Sequence, residues 1–170
     1  SRKVDGKVFA RVSPALISKS HALATVENEF NAIEVMGDAI GNAMFYGRGA
    51  GKLPTASAVV ADIIDIVKHS GSINRNIWEI TEYNNMIGIG ESETSMFIRV
   101  EVRNGEEAKR FIADRFGSVE FISLNTGDRE DEFGFVTGKA KERKLRKQIG
   151  ELDGIGSVRR VINSIRIEEE

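Results

Sequence analysis

Cysteine is absent from the 170-residue sequence, which excludes disulfides, thiolate zinc sites and cysteine nucleophiles. Histidine is scarce. His21 and His69 are the only two, without metal-ligand spacing to each other, so no metal site is expected. An excess of basic charge is also missing: 24 Lys and Arg against 26 Asp and Glu leave a formal charge of -2, which disfavours a nucleic-acid partner. No apolar run is long. The most apolar stretch, residues 56–67, is broken by Asp62 and Asp65 and falls far short of the ~20 residues a membrane span needs. The chain opens on Ser1-Arg2-Lys3-Val4-Asp5-Gly6, which has no apolar signal core. A cytoplasmic location without membrane contact is therefore expected. A hydrophobic share of 41% does exclude a wholly disordered chain, and the length suits one domain or two small ones. Proline is limited to 2 residues while glycine reaches 17, and where those glycines sit matters more than their number.

The patterning predicts strands and then a helix in the first third. Val8, Ala10 and Val12 alternate with Phe9 and Arg11, the period of a strand. Residues 30–36 and 40–46 are apolar-rich runs flanking Gly37-Asp38-Ala39, which predicts a hairpin. Gly47, Gly49 and Gly51 then alternate, and Pro54 is placed for the first turn of a helix. Val59, Val60, Ile63 and Val67 recur at helical spacing up to Lys68.

Residues 69–92 are rich in Gly, Ser and Asn. Ile73, Ile77, Trp78 and Ile80 within this seam predict that part of it packs. The domain boundary is placed near residues 90–93, giving domains over 1–92 and 93–170. Beyond it, the alternation of Met96, Ile98, Val100 and Val102 predicts a strand. Ala108, Phe111, Ile112 and Phe116 predict a helix. Strands near Val119 and Phe133 follow, the second after an acidic turn over residues 128–132. Leu145, Ile149 and Leu152 predict a second helix, and residues 158–167 a last strand. The order β-α-β-β-α-β is ferredoxin-like, with one sheet face left for a partner. The fold class is α+β: a partial mixed-sheet domain followed by this βαββαβ domain.

A glycine loop ending in a helix N-terminus offers unpaired N–H groups to a ligand. Gly47, Gly49 and Gly51 let a phosphate, a carboxylate or a cofactor ring approach; a tight turn with close packing uses the same residues. The spacing is neither G-x-G-x-x-G nor a P-loop, because Leu53-Pro54 follow Lys52.

Three stretches resemble homoserine dehydrogenases: Val8-Phe9-Ala10-Arg11-Val12-Ser13-Pro14-Ala15-Leu16-Ile17, Phe30-Asn31-Ala32-Ile33 with Gly37-Asp38, and above all residues 45–62. The last, Phe45-Tyr46-Gly47-Arg48-Gly49-Ala50-Gly51-Lys52-Leu53-Pro54-Thr55-Ala56-Ser57-Ala58-Val59 onward, is similar to the family's GPGAG-x-x-P-T-A-S-A-V-x-x-D signature. Arg48 replaces the common proline. Residues 93–170 resemble an ACT regulatory domain.

The resemblance implies an oxidoreductase that interconverts L-homoserine and L-aspartate 4-semialdehyde with NAD(P), in threonine, methionine and isoleucine biosynthesis. It implies that Gly49, Ala50, Gly51 and Thr55 lie beside the nicotinamide. The family's G-x-G-x-x-G Rossmann domain and L-x-G-I-x-N-G-T-T-N-Y segment are absent, so no catalytic residue is assigned here. The chain resembles a C-terminal portion whose partners are the missing Rossmann and catalytic segments. Alone it is expected to bind no cofactor and turn over no substrate. Dimers or higher homo-oligomers are expected. An amino-acid effector such as threonine would sit at Asn104-Gly105, although the ACT proline is missing and Glu106-Glu107 are acidic.

Other features have simpler readings. Asp62 and Asp65 fit an exposed helix edge, residues 128–132 a hairpin tip, and the basic run 139–147 a solvated helix face. A stand-alone ACT-type amino-acid sensor is the alternative function; it leaves residues 45–62 unexplained. An RNA-binding reading rests on the partial echo Glu132-Phe133-Gly134-Phe135-Val136 and is opposed by the acidic charge.

Overall fold

The computed structural model describes residues 1–71, 84–123 and 131–168. The seam residues Ile73, Ile77, Trp78 and Ile80, and residues 128–130 of the acidic turn, lie outside the described residues. The strands and helices are β1 (Arg2–Val4), β2 (Lys7–Phe9), β3 (Ala15–Leu16), β4 (Phe30–Gly37), β5 (Gly41–Arg48), α1 (Lys52–Lys68), β6 (Glu93–Val102), α2 (Gly105–Phe116), β7 (Val119–Ile122), β8 (Glu132–Thr137), β9 (Ala140–Lys141), α3 (Glu142–Leu152) and β10 (Val158–Ile167). The fold is mixed α/β. Its contacts divide it into two compact units, Ser18–Ile80 on one side and Ser1–Ile17 with Thr81–Glu170 on the other. Sequence reading placed the division near residue 92, whereas the first 17 residues here group with the C-terminal half.

The cause of that grouping is long-range backbone pairing. β3 lies parallel to β10, with Ala15 opposite Arg166 and Leu16 opposite Ile167. Val8 bridges Met86: its N–H donates to the Asn85 carbonyl at 2.8 Å, and the Ile87 N–H donates to the Val8 carbonyl at 2.8 Å. Arg11 also ion-pairs with Glu168.

The strand expected over residues 8–12 therefore stops at Phe9 and turns out to be half of a hairpin. β1 and β2 pair antiparallel, Val4 opposite Lys7, across Asp5-Gly6. Both turn residues have positive φ, 49° and 76°. That is the type I′ geometry whose twist matches a two-residue hairpin, and Asp-Gly supplies it at low cost.

The larger sheet runs β3-β10-β6-β8-β7, with β9 pairing β6 off this path. Apart from β3 its strands pair antiparallel. Alternate residues of β6 (Met96, Ile98, Val100 and Val102) join Phe133 and Phe135 of β8 in the core, together with Ala108 and Ile112 of α2 and Leu145 and Leu152 of α3. The register sets Phe135 opposite Ile98 and Phe133 opposite Val100, so partners share one face. Each large side chain buried this way contributes roughly 1.5–3 kcal/mol. On the other face, Glu132 pairs with Arg99 and Glu101 accepts from Arg159 and Arg160 at 2.6 and 2.7 Å.

In the unit Ser18–Ile80, β4 and β5 form the expected hairpin, in register from Phe30–Arg48 to Gly37–Gly41. A short 3-10 turn precedes it at Ala22–Thr25, where His21 Nδ1 accepts from the Leu23 N–H. No residue of α1 is buried. Ile33, Met36, Ile40 and Phe45 of the hairpin, and Leu53, Ile66 and Val67 of α1, are all more than half exposed.

Candidate functional site

The glycine loop connects β5 to α1, and its conformation follows from which residues lack a Cβ. The Gly49 N–H donates to the Glu29 carbonyl at 3.1 Å, carrying the hairpin ladder one step past the last strand residue. A Cβ on Gly49 would collide with the Asn31 side-chain amide, so alanine there requires Asn31 to move. Gly51 has φ 118° and ψ 152°, a region open essentially to glycine alone. Its missing Cβ faces the Pro54 ring, with Cδ 3.4 Å away.

Lys52, Leu53 and Pro54 then open α1. Pro54 in the first turn gives up an N–H that has no intrahelical acceptor. Thr55 closes the turn: its N–H and its hydroxyl both donate to the Gly51 carbonyl, at 3.2 and 2.9 Å. Gly51 provides no side-chain cap and the first turn holds no acidic residue. The Lys52 and Leu53 N–H groups thus stand at the positive end of the helix dipole, next to backbone stripped of side chains.

The hairpin stiffens the loop from below. Phe30 and Tyr46 stack with centroids 4.9 Å apart and planes 4° apart. The Arg48 guanidinium lies 5.2 Å from the Phe30 centroid, and Arg48 Nη1 reaches Glu29 Oε1 at 2.8 Å. The residue that departs from the proline pattern therefore has its own anchorage, at the strand end from which the loop leaves.

Gly49, Ala50, Gly51 and Thr55 thus sit together on one turn of chain. Asn104 and Gly105 lie in the other unit, at the start of α2. There the Asn104 Oδ1 accepts from the Glu107 N–H at 3.2 Å, so Asn104 caps the helix. Glu106 and Glu107 occupy its first turn, favourable beside the dipole. Asp62 and Asp65 lie on the exposed α1. The basic run around α3 is largely paired: Lys141 and Arg143 contact Glu91 at 2.8 and 2.5 Å, and Arg146 contacts Glu142 at 2.6 Å. That pairing explains why its charge is locally neutralised.

One buried pair had no signal in the sequence. Glu142 is fully buried at the start of α3 and ion-pairs with Arg166 of β10, itself 5% exposed. Glu142 falls within the run 139–147 that reads as a solvated helix face. Burial, followed by the like charge of Arg11, lowers the pKa of Arg166 below the ordinary arginine value.

Comparison with known proteins agrees with the loop. Residues 2–64 match the family described as homoserine dehydrogenase. The chain is 31% identical over 171 residues to the homoserine dehydrogenase of Bacillus subtilis, covering 95% of this chain and 40% of that protein. It is 35% identical over 169 residues to the Corynebacterium glutamicum homoserine dehydrogenase, covering 96% and 38%. A shorter match of 57 residues to the Synechocystis homoserine dehydrogenase reaches 60% identity, over 34% of this chain and 13% of that protein. Among solved structures, the homoserine dehydrogenase of Thiobacillus denitrificans superposes with a TM-score of 0.75 at 24% identity, over 99% of this chain and 41% of that one, a likeness of fold. That of S. aureus at pH 6.0 gives 0.62 at 27% identity, over 92% and 37%. Over residues 2–64 the chain is therefore similar to the homoserine dehydrogenases, and it spans about two fifths of the length of the curated relatives it matches.

Proposed function

We propose that this chain is the later part of an oxidoreductase that interconverts L-homoserine and L-aspartate 4-semialdehyde with NAD(P), serving threonine, methionine and isoleucine biosynthesis. The observation that carries the reading is the glycine loop, where family signature and geometry coincide. The residues fit the edge of a planar cofactor ring. Backbone at Gly49 and Gly51 excludes a Cβ on steric and conformational grounds, and uncapped N–H groups adjoin it. The nicotinamide, when bound, supplies or accepts the hydride. The part of this chain is to bind and orient: Gly49, Ala50 and Gly51 admit the ring edge to the backbone, and Thr55 holds the turn closed through the Gly51 carbonyl. No catalytic acid, base or lysine is assigned within these residues.

In the same reading, residues 93–170 form an ACT-like regulatory domain of ferredoxin-like arrangement. The strand order β10-β6-β8-β7, with α2 and α3 sharing one core, supports it. An amino-acid effector would bind at Asn104-Gly105. Self-association as a dimer or higher oligomer is supported by the exposed apolar residues of β4, β5 and α1, whose burial is favourable. A cytoplasmic location accords with the finding that, among the described residues, no helix is long and apolar enough to cross a membrane.

The test starts from the coding sequence upstream of Ser1 and an assay of its full product for NAD(P)-dependent homoserine oxidation. The reading expects a nucleotide-binding strand, glycine loop and helix upstream, and an active product; this chain alone stays inactive. An upstream sequence without that unit would overturn it in favour of a stand-alone sensor.

A further inference from the structure

The glycine loop is held at its far end by the two Thr55 bonds to the Gly51 carbonyl. Its near end leaves β5 through Gly47, Arg48 and Gly49, and glycine on both sides of Arg48 raises the entropy lost on ordering the backbone there. Glu29 meets this end twice. Its carbonyl accepts from the Gly49 N–H at 3.1 Å, and its Oε1 lies 2.8 Å from Arg48 Nη1. Backbone and side chain thus close a ring around the last rung of the hairpin. The guanidinium also covers Phe30, 5.2 Å from the ring centroid, and Phe30 in turn stacks on Tyr46.

Opening the strand end therefore breaks the Gly49 bond, the ion pair and the cation–π contact together. The side chains of Arg48 and Glu29 are 57% and 44% exposed, so the ion pair and the cation–π contact each shift an equilibrium by at most about fivefold. The backbone position is permissive. Because Glu29 and Gly49 are joined by a hydrogen bond, the Arg48–Phe30 pair is a non-hydrogen-bonded one in the antiparallel alternation. The Arg48 N–H takes no part in the pairing with β4, and a proline there would restrict φ without removing a rung.

We propose that Arg48 is a positioning residue for the cofactor. Its guanidinium, seated between Glu29 and Phe30, holds Gly49, Ala50 and Gly51 in the ring-admitting geometry before the cofactor arrives. The proposal rests on the reading of this loop as the nicotinamide edge, and adds the source of its rigidity. Arg48 acts through Glu29 and Phe30 without touching the ligand. A loop whose competent geometry is only partly populated lowers the apparent affinity by that fraction, while turnover at saturating cofactor starts from the same bound geometry.

The test combines titration with NADPH and NADH, steady-state homoserine oxidation and amide exchange, all on the full coding product. Arg48→Ala and Glu29→Ala are each expected to raise the cofactor Kd and KM about three- to tenfold, with kcat at saturating cofactor falling by less than about twofold. In the cofactor-free protein, exchange of the Gly49 N–H is expected to speed up by a similar factor. The double variant is expected to lose no more than the worse single, because both remove one contact. Arg48→Pro, which restricts φ without the side chain, is expected to recover most of the affinity lost in Arg48→Ala. Unchanged affinity or unchanged Gly49 exchange in both single variants overturns the proposal, as does a loss confined to kcat. Tighter binding by Glu29→Ala, with Arg48→Pro as weak as Arg48→Ala, makes the guanidinium a direct ligand of the cofactor and equally overturns it. A wild-type product that binds neither cofactor overturns the reading of the loop itself, a separate failure.

Discussion

Replacing Glu142 by glutamine tests the buried pair that ties α3 to β10. Glu142 is fully buried and Arg166 is 5% exposed, so neutralising the carboxylate leaves a desolvated guanidinium without its counter-charge. Arg146, also bonded to Glu142 at 2.7 Å, has a side chain 62% exposed and returns to water at little cost. Breaking a buried pair from one side costs about 3–5 kcal/mol. For a unit of about 100 residues, 1 kcal/mol moves the melting temperature by about 4–8 °C. Taking the low end of that slope, Glu142→Gln is expected to lower Tm by about 12–20 °C. Urea unfolding followed by circular dichroism gives the free energy directly, and scanning calorimetry the Tm. The double variant Glu142→Leu with Arg166→Met is expected to recover most of the loss, because an apolar pair of similar volume needs no compensation for desolvation. A single variant within 1 kcal/mol of wild type, or a double variant no better than the single, would refute the reasoning.

Other consequences are local. Gly51→Ala forces a side chain to φ 118° and is expected to cost about 1–3 kcal/mol of local stability, seen as faster amide exchange through the first turns of α1. Gly47→Ala meets open space at ordinary φ, and its exchange is expected to match wild type. Gly6→Val, at φ 76°, is expected to loosen the β1–β2 turn, with increased exchange at Lys7 and Val8 as the readout. Glu151 is held below its ordinary pKa of 4.5 chiefly by the Arg115 hydrogen bond, Glu101 by those from Arg160 and Arg159, and Glu91 by that from Lys141. Because these folded-state values are depressed, the stabilisation is complete above about pH 4.5 and is lost as pH falls through the lowered values. A Tm profile flat from neutrality to about pH 5 and falling below 4.5 is expected; stability that rises on acidification would contradict the assignment.

Elements with strong local patterning were legible from the residues. The hairpin at Gly37-Asp38-Ala39, α1 with Pro54 in its first turn, and residues 158–167 all appear where periodicity and turn chemistry put them. The two-residue β3 was not legible, because its partner Arg166 lies far along the chain and nothing local marks such a pairing. The same pairing explains the domain division. A Gly- and Ser-rich seam is visible in sequence, but a chain that returns to an earlier sheet has no compositional signature. β2 is shorter than the alternation suggests because its partner β1 begins at Arg2, opposite Phe9. The glycine loop was readable because it is contiguous. The Glu142–Arg166 pair was hidden, since its two members come from separate stretches and nothing local marks a charge for burial.

The most direct measurement is nicotinamide cofactor affinity and homoserine turnover by the full coding product, compared with its Gly49→Ala and Gly51→Ala variants. If the loop lies against the nicotinamide, each variant binds the cofactor or turns over homoserine at least tenfold less well, about 1.4 kcal/mol, while the product stays folded. An active product whose cofactor affinity and kcat/KM are unchanged by both substitutions would contradict the account.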